Sequence, residues 1–229
     1  MKKIIVFAGP NGSGKSTVIN AIREQTDVKN YLYVNADDIA NVFFANEPDY
    51  NNRNLMAAKY AEYLRNKYID EGKDFMFETV LSTERNINLL RRAKQEGYFI
   101  TGVYVLTRDS EINVERVKNR VLNGGHDVPE DKIRARYDRC LSLIPDFVGT
   151  IDNMVLYDNT DNILLTLLKK DRDITVVTNQ IQDPDWFDDN ILNPIKEKGY
   201  NFLFVKKNYN KESLFNLQEV LKQGEQEKI

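Results

Sequence analysis

The stretch GPNGSGKS, residues 9–16, matches the phosphate-loop pattern G-x-x-x-x-G-K-[ST] at every position. It follows the apolar run Lys3–Ala8 and precedes an amphipathic segment that begins at Lys15, so it joins a predicted buried strand to a predicted helix. Glycines let successive backbone N–H groups turn toward a phosphate, and a helix N-terminus attracts the same negative charge. The stretch therefore predicts a nucleotide-binding loop.

Individual residues of this loop have distinct predicted roles. Lys15 is expected to reach the β- and γ-phosphates as a catalytic cation, and the Ser16 hydroxyl is expected to bind Mg²⁺. Thr17 adds a further phosphate contact. The predicted nucleotide-binding set is Gly9, Asn11, Gly12, Ser13, Gly14, Lys15, Ser16 and Thr17.

Short apolar runs alternate with amphipathic segments along the rest of the chain, which is typical of parallel strands connected by helices. The predicted strands are Lys3–Ala8, Tyr31–Asn35, Asp74–Glu78, Tyr98–Leu106, Met154–Tyr157 and Ile174–Thr178. The predicted helices are Lys15–Gln25, Asp37–Phe44, Asn54–Glu71, Glu84–Glu96, Ser110–Leu122 and Glu130–Val148, and a polar helix is predicted at the C-terminal end over Lys211–Ile229. This order predicts an α/β fold of the P-loop NTPase type, a three-layer α/β/α sandwich with a parallel sheet.

Composition narrows the class of protein. The 229 residues are 41% hydrophobic and carry a net charge of −3, so a non-specific nucleic-acid binder is not expected. Cys140 is the single cysteine, which rules out an internal disulfide and fits a reducing compartment. No stretch approaches the roughly 20 apolar residues that span a bilayer. We expect a soluble, cytoplasmic protein without a membrane partner.

Two other classes of P-loop protein fit the sequence less well. A transporter-type ATPase needs an L-S-G-G-Q signature, and LNGGH at 122–126 resembles it, but a charged helix follows instead of a strand ending in Asp-Glu. A GTPase needs Asn-Lys-x-Asp after a strand, whereas this strand ends in VLTRD at 105–109. A kinase is the remaining class, and it requires a base, an acceptor site and mobile cations.

The base and the acceptor site are predicted where the second and third strands end. Asp37 follows the second strand on the phosphate side of the sheet and is the predicted base, although it also suits a helix cap. Glu78 ends the third strand and is expected to bind the acceptor. Thr79 and Ser82 add hydroxyl groups there, with a helix cap as the alternative for Ser82.

A third group of residues suggests a helical lid over the phosphates, at about residues 110–148. Arg116 and Arg120 lie four residues apart, on one face of a predicted helix, and are expected to stabilise the transferring phosphoryl group. Arg136 lies on the helix beyond a Gly-Gly hinge, and His126 follows that hinge. These two are expected to contact the substrate, although arginines on helices also commonly form solvated faces.

The order and spacing of these motifs resemble those of the zeta-toxin family of P-loop kinases. The resemblance runs from Lys3 to about Leu192 and rests on the segments GPNGSGKST (9–17), NADDIA (35–40), FETVLST (77–83), Gly97-Tyr98, RVKNRVLNGGHDVP (116–129) and IRARYDR (133–139). It implies an adenylate-kinase-like core, ATP and Mg²⁺ as ligands, and transfer to the 3′-hydroxyl of UDP-N-acetylglucosamine. It also implies an antitoxin partner that blocks the ATP site.

The resemblance implies that Asp37 is the base, Glu78 the acceptor contact and Arg116 the first lid arginine. The chain departs from the family pattern at Thr79 and Val80, where toxins carry Gly and Thr. The second lid arginine falls near His126, with Arg120 or Arg136 as substitutes. These departures lie in the predicted acceptor pocket and lid, so they bear on the identity of the acceptor more than on the reaction with ATP.

We therefore predict a kinase domain over residues 1–193 and a C-terminal extension of unassigned role over residues 194–229. A polynucleotide 5′-kinase and an ATP-gated protein-interaction module remain alternative hypotheses. Transfer to an oligonucleotide would indicate the first, and ATP binding without transfer would indicate the second.

Overall fold

The computed structural model describes residues 1–24, 28, 30–209 and 214–223. The strands are β1 (Lys2–Ala8), β2 (Leu32–Val34), β3 (Phe75–Thr79), β4 (Tyr98–Leu106), β5 (Asn153–Asp158), β6 (Leu164–Lys170), β7 (Asp173–Val177) and β8 (Asn201–Val205). They form one sheet in the order β2-β3-β1-β4-β5-β6-β7-β8.

Helices connect these strands and cover the sheet. They are α1 (Lys15–Arg23), α2 (Ala36–Phe43), α3 (Tyr50–Asp70), α4 (Glu84–Gln95), α5 (Ser110–Leu122), α6 (Glu130–Ser142), α7 (Ile144–Thr150), α8 (Pro184–Phe187), α9 (Asn193–Lys196) and α10 (Leu217–Gln223). A 3₁₀ turn (Thr178–Gln180) follows β7, and a π-helical turn (Asp188–Leu192) joins α8 to α9.

The half of the sheet from β2 to β5 is entirely parallel. Its central strand β1 directs Ile4, Val6 and Ala8 to one face and Ile5 and Phe7 to the other, and all five are buried. Burial on both faces is what a parallel strand covered by two helical layers requires. The predicted three-layer α/β fold is confirmed.

The remaining strands extend the sheet in a way that the sequence did not predict. Strand β6 was not predicted at all, and it pairs antiparallel with both β5 and β7, while β8 pairs parallel with β7. Its sequence LLTLLKK has the short apolar run of a buried strand but residues that also favour helix. This segment forms a strand and not a helix because it pairs with β5 on one side and β7 on the other.

Two hydrophobic clusters fill the space between the sheet and its helices. One face packs against α3, α4, α7 and the segment from α8 to α9, and the other against α1 and α10. Residues 193 and 194 lie together in α9, and β8 continues the same sheet. The division of the chain at residue 193 stays a prediction.

The helix predicted over Glu130–Val148 is in fact two helices. It breaks at Leu143, and Pro145 lies in the first turn of α7, where its missing N–H costs no helical hydrogen bond. Helix α7 packs into the core of the sheet, whereas α5 and α6 share a small core of their own around Val117 and Ile133. The segment predicted as a lid, about residues 110–148, therefore comprises α5 and α6, which pack on each other, and α7, which belongs to the core of the sheet.

Other boundaries differ by a few residues from the prediction. Helix α3 begins four residues early because the Asp49 side chain caps it, accepting hydrogen bonds from the Asn51 and Asn52 amides. Part of the predicted C-terminal helix Lys211–Ile229 is present as α10; residues 211–213 and 224–229, like Gln25 at the predicted end of α1, lie outside the described residues. Within the described residues, no helix combines the length and apolar character needed to cross a membrane.

Candidate active site

The phosphate loop between β1 and α1 depends on three glycines. Gly9, Gly12 and Gly14 all have positive φ angles, of 141°, 79° and 91°. A Cβ atom on them would lie 1.9 Å from the Val105 carbonyl oxygen, 2.5 Å from the Asn113 carbonyl oxygen and 2.1 Å from the Asn159 side chain, respectively. The loop is thus held against β4, α5 and the segment after β5, and only glycine fits at these contacts.

Lys15 is the buried cation of this loop. Its ammonium group donates a 2.8 Å hydrogen bond to the Pro10 carbonyl and lies 3.7 Å from Glu78 Oε1. Burial lowers the pKa of Lys15, and the nearby Glu78 carboxylate partly opposes that change. The Ser13 hydroxyl is also buried and has no hydrogen-bond partner among the described residues, while Ser16 and Thr17 are exposed at the start of α1.

Asn35, at the end of β2, takes the capping role that Asp37 could have had. Its Oδ1 accepts hydrogen bonds from the backbone amides of Asp37 (2.7 Å) and Asp38 (3.3 Å), which begins α2. Asp37 lies in the first turn of that helix, and its side chain is not needed for the cap. Asp37 therefore lies at the same edge of the sheet as the phosphate loop, with its side chain exposed and without a capping role.

Glu78 contacts both the phosphate loop after β1 and the residue that follows β2. Its Oε1 faces Lys15, and its Oε2 accepts a 3.0 Å hydrogen bond from the Asn35 side chain. The register pairs Phe7 with Glu78 across β1 and β3, so the carboxylate lies one residue before the point where both strands end. The structure thus brings together Lys15, Glu78 and the start of α2, as the sequence predicted.

The turn after β3 is held by side chains that were predicted to face the acceptor. The Thr79 hydroxyl is buried and accepts hydrogen bonds from the Leu81 amide (3.0 Å) and the Asn86 side chain (2.7 Å). Leu81 is a buried residue with a φ of 55°, a conformation that the turn must impose. Thr79 thus shapes the turn, and Ser82 lies half-buried next to it.

The arginines predicted for the lid lie on two helices, and one of them, Arg136, contacts the phosphate loop. Arg116 donates a 2.8 Å hydrogen bond to the Thr160 carbonyl, and its Nη1 is buried without a partner in the part of the chain that the structure describes. Arg120 donates from Nε and Nη2 to the His126 carbonyl, at 3.1 and 2.6 Å. Arg136 of α6 donates a 3.1 Å hydrogen bond to the Asn11 side chain of the phosphate loop.

Two other residues of the lid have structural contacts. Arg134 pairs with Glu111 and Glu130 and so joins α5 to α6. His126 stacks against Tyr50 at the start of α3, with ring centroids 6.2 Å apart. This stack connects the loop between α5 and α6 to the start of α3.

The segment after β5 contributes to the site and was not predicted. Asn159 donates a 2.8 Å hydrogen bond to the Ser13 carbonyl, and Thr160 receives the bond from Arg116. Arg108 donates to the Thr160 hydroxyl from its backbone and side chain. A signal was present, because polar residues directly after a parallel strand lie at the active edge of the sheet.

Fold and site together define a P-loop kinase: a phosphate loop with a buried lysine, acidic residues at the ends of the neighbouring strands, and an arginine of α6 in contact with the loop. The zeta toxin family model matches residues 1–170, and the chain belongs to that family.

Several proteins are similar to this chain. An uncharacterised protein of Haemophilus influenzae is 30% identical over 135 residues, which is 59% of this chain and 92% of that protein. A structure of the PezAT chromosomal toxin–antitoxin system of Streptococcus pneumoniae aligns with a TM-score of 0.54 at 15% identity, over 100% of this chain and 88% of that one. The AvrRxo1-ORF1:-ORF2 structure with ATP aligns with a TM-score of 0.57 at 15% identity, over 74% of this chain and 59% of that one. At such identity, the two structures support the fold.

Proposed function

We propose that this kinase transfers the γ-phosphate of ATP to a hydroxyl group of a small molecule, and that the acceptor is the 3′-hydroxyl of UDP-N-acetylglucosamine. The observation that carries transfer to a hydroxyl is the convergence at the carboxyl edge of β1, β2 and β3, and membership of the zeta toxin family supports the sugar nucleotide as acceptor. There the buried Lys15 lies 3.7 Å from Glu78, and Asn35 connects Glu78 to the turn that holds Asp37.

The nucleotide is bound by the loop over residues 9–17. Backbone N–H groups around the three glycines face the β-phosphate, and the buried Ser13 hydroxyl, unpartnered among the described residues, supplies one more donor. Lys15 exchanges the Pro10 carbonyl for phosphate oxygens. The similar AvrRxo1-ORF1:-ORF2 complex has a structure with ATP, which supports adenine as the nucleobase that this chain binds.

Mg²⁺ fits the exposed Ser16 hydroxyl at the start of α1. Among the described residues no group of three or more His, Cys, Asp or Glu could hold a metal by itself. Mg²⁺ in kinases is commonly held by one or two side chains, water and the nucleotide phosphates, so Ser16 and ATP would hold the ion together. When bound, the ion neutralises charge on the phosphates.

In the proposed reaction Asp37 takes the proton of the acceptor hydroxyl. The acceptor oxygen then forms a bond to the γ-phosphorus while the bond between that phosphorus and the β,γ-bridging oxygen breaks, and ADP leaves. Glu78 orients the acceptor. Arg116, Arg120 and Arg136 follow the transferring group, since guanidinium groups bind phosphoryl oxygens in a fixed planar geometry.

The test is transfer of label from γ-labelled ATP to UDP-N-acetylglucosamine. Wild type is expected to produce labelled sugar nucleotide, Lys15→Ala to lose at least about 1000-fold of the rate, and Asp37→Asn to lose as much while keeping ATP affinity within about twofold. A labelled 5′-oligonucleotide product would instead indicate a polynucleotide kinase. Full activity of Asp37→Asn would disprove its role as the base.

We also propose an antitoxin-type protein partner that covers the ATP site. Membership of the zeta toxin family supports it, and the similar structure from Streptococcus pneumoniae comes from a toxin–antitoxin system. The test is whether the product of an adjacent gene binds this chain and prevents ATP binding. Simultaneous binding of ATP and partner would exclude this mode of inhibition.

A further inference from the structure

Asn35 stands between the two acidic residues of the proposed acceptor site. Its side chain has two N–H donors and two acceptor positions, and all four are used. Oδ1 accepts from the Asp37 and Asp38 amides, while Nδ2 donates to Glu78 Oε2 and to the Tyr33 hydroxyl, each at 3.0 Å. One planar group therefore links the backbone of α2 to the end of β3.

The orientation of this amide follows from its neighbours. The two backbone N–H groups of α2 can only donate, so the oxygen of Asn35 must face them. The NH₂ group must then face the Glu78 carboxylate, which can only accept. A reversed amide would place donors against donors and an oxygen against a carboxylate.

The requirement at this position is stricter than that of a helix cap. Asparagine, aspartate and serine cap helices about equally well. Aspartate would place a second carboxylate next to Glu78, and serine is too short to reach it from β2. Of these three, only asparagine can cap α2 and hold Glu78 at the same time.

We propose that Asn35 is a positioning residue that sets the geometry between the base Asp37 and the acceptor contact Glu78. The inference rests on the proposed kinase reaction. Tyr33 supports Asn35 from the other side, and the Arg23 guanidinium in turn covers the Tyr33 ring at 4.5 Å. Because Glu78 also faces Lys15, the same amide connects the acceptor side to the phosphate loop.

The first variant separates capping from positioning. Asn35→Ser keeps an oxygen for the α2 amides but loses the donor to Glu78. With ATP and UDP-N-acetylglucosamine we expect at least a tenfold higher KM for the acceptor and at least a tenfold lower kcat. The KM for ATP should stay within twofold and the Tm within about 2 °C of wild type, since the cap remains.

The second variant gives a pH signature that a structural role would not produce. In Asn35→Asp the new carboxylate lies next to that of Glu78. The charged groups around this pair are Lys15 and Arg23 of α1 and Asp38 of α2. Such a pair takes up one proton more readily than a single carboxyl group, and the protonated member can then donate as the amide did. The activity of Asn35→Asp relative to wild type is therefore expected to rise as the pH falls from 8 to 6.

The matched control is Asp183→Ala, which removes the cap of α8 without touching the site. Asp183 accepts a 3.1 Å hydrogen bond from the Trp186 amide. This variant should keep the wild-type kcat, KM and pH profile, which would show that the loss of a helix cap away from the site does not by itself change the kinetics.

The outcomes distinguish this inference from the proposed function. If wild type does not label UDP-N-acetylglucosamine, that acceptor is wrong, and the same variants are compared in ATP hydrolysis, in which water takes the acceptor's place. If Asp37→Asn is inactive but Asn35→Ser works at the wild-type rate in both reactions, Asn35 has no positioning role. A flat pH ratio for Asn35→Asp also overturns the inference.

Discussion

The half of the sheet from β2 to β5 carries every residue that we propose for binding and transfer, whereas the half formed by β6, β7 and β8 carries none. Parallel strands all end at one edge, so the loops after β1, β2, β3, β4 and β5 converge there. Strand β6 runs the opposite way, and the connections of the second half are divided between both edges.

The second half contributes buried apolar side chains to the hydrophobic core instead. Leu167, Ile174 and Val176 belong to the same hydrophobic cluster as Val6 and Phe77 of the parallel half. The two halves are also joined by Arg108, which pairs with Asp158 at 3.3 Å and donates a 2.7 Å hydrogen bond to Gln182. The comparison teaches that strand direction, more than depth of burial, decides where chemistry can be placed.

In the parallel half, the largest effect on ATP affinity is expected from Gly12→Ala. The new Cβ would meet the Asn113 carbonyl oxygen at 2.5 Å, in a backbone conformation that already disfavours a side chain by about 1–2 kcal/mol. The loop must move, and we expect ATP affinity to fall by about 100-fold or more, which is roughly 3 kcal/mol. Isothermal titration calorimetry with ATP measures this.

Gly97→Ala is the matched control for that variant. Gly97 has the same φ of 79°, but no atom of the described residues lies within 4 Å of its added Cβ. This variant should cost about 1 kcal/mol of stability and leave ATP affinity within twofold. Equal affinities for the two variants would mean that the close approach to Asn113 does not matter.

Two arginines of the predicted lid are expected to differ in their effect on kcat because their contacts differ. Arg136→Ala removes the contact to Asn11 and should lower kcat by about 100-fold with the fold intact. Arg134→Ala, two residues away, removes ion pairs with Glu111 and Glu130 and should change kcat less than about threefold, since exposed pairs contribute little. Steady-state kinetics compare the two, and a reversed order would place the wrong arginine at the phosphates.

The prediction for the second half concerns stability and its dependence on pH. The Lys169 ammonium is buried in β6 and donates to the Ile151 and Asp152 carbonyls, and burial lowers its pKa to about 8 from 10.5. A cation whose pKa is lower in the folded state destabilises the fold while it is protonated. The free energy of unfolding should therefore rise between pH 8 and 10.5, by up to about 3 kcal/mol.

Urea unfolding across that range, for wild type and Lys169→Met, measures this contribution. Buried tyrosines such as Tyr157, whose pKa burial raises, lower stability at the alkaline end in both proteins, so the difference between the curves isolates Lys169. Lys170→Met, the next residue, should keep the wild-type slope. A difference curve that stays flat for Lys169→Met would show that this lysine titrates normally.

Much of the site could be predicted because its signals are local. The loop over residues 9–16 needs glycine at three positions for reasons of backbone conformation, and the order of strand, loop and helix around it is visible in the sequence. Asp37 and Glu78 were predicted from their places after two apolar runs, and the structure brings Glu78 to Lys15. The roles of these residues in transfer stay predictions.

Other features depend on contacts between distant parts of the chain. The capping of α2 by Asn35 was missed because the neighbouring Asp37 offered an equally good capping group in the sequence. Asn159 reaches Ser13 across 146 positions, and no local pattern marks that pair. Strand β6 became a strand only because β5 and β7 lie on either side of it.

The sequence by itself determined the phosphate loop, the parallel half of the sheet and the edge at which the acidic residues lie. These follow from backbone conformation and from hydrophobic periodicity, which act over a few neighbouring residues. The tertiary structure alone decided which polar group faces which: Asn35 with Glu78, Arg136 with Asn11, Thr79 with its own turn. Such choices depend on the geometry of donors and acceptors brought together by packing, and that geometry does not exist before the chain has folded.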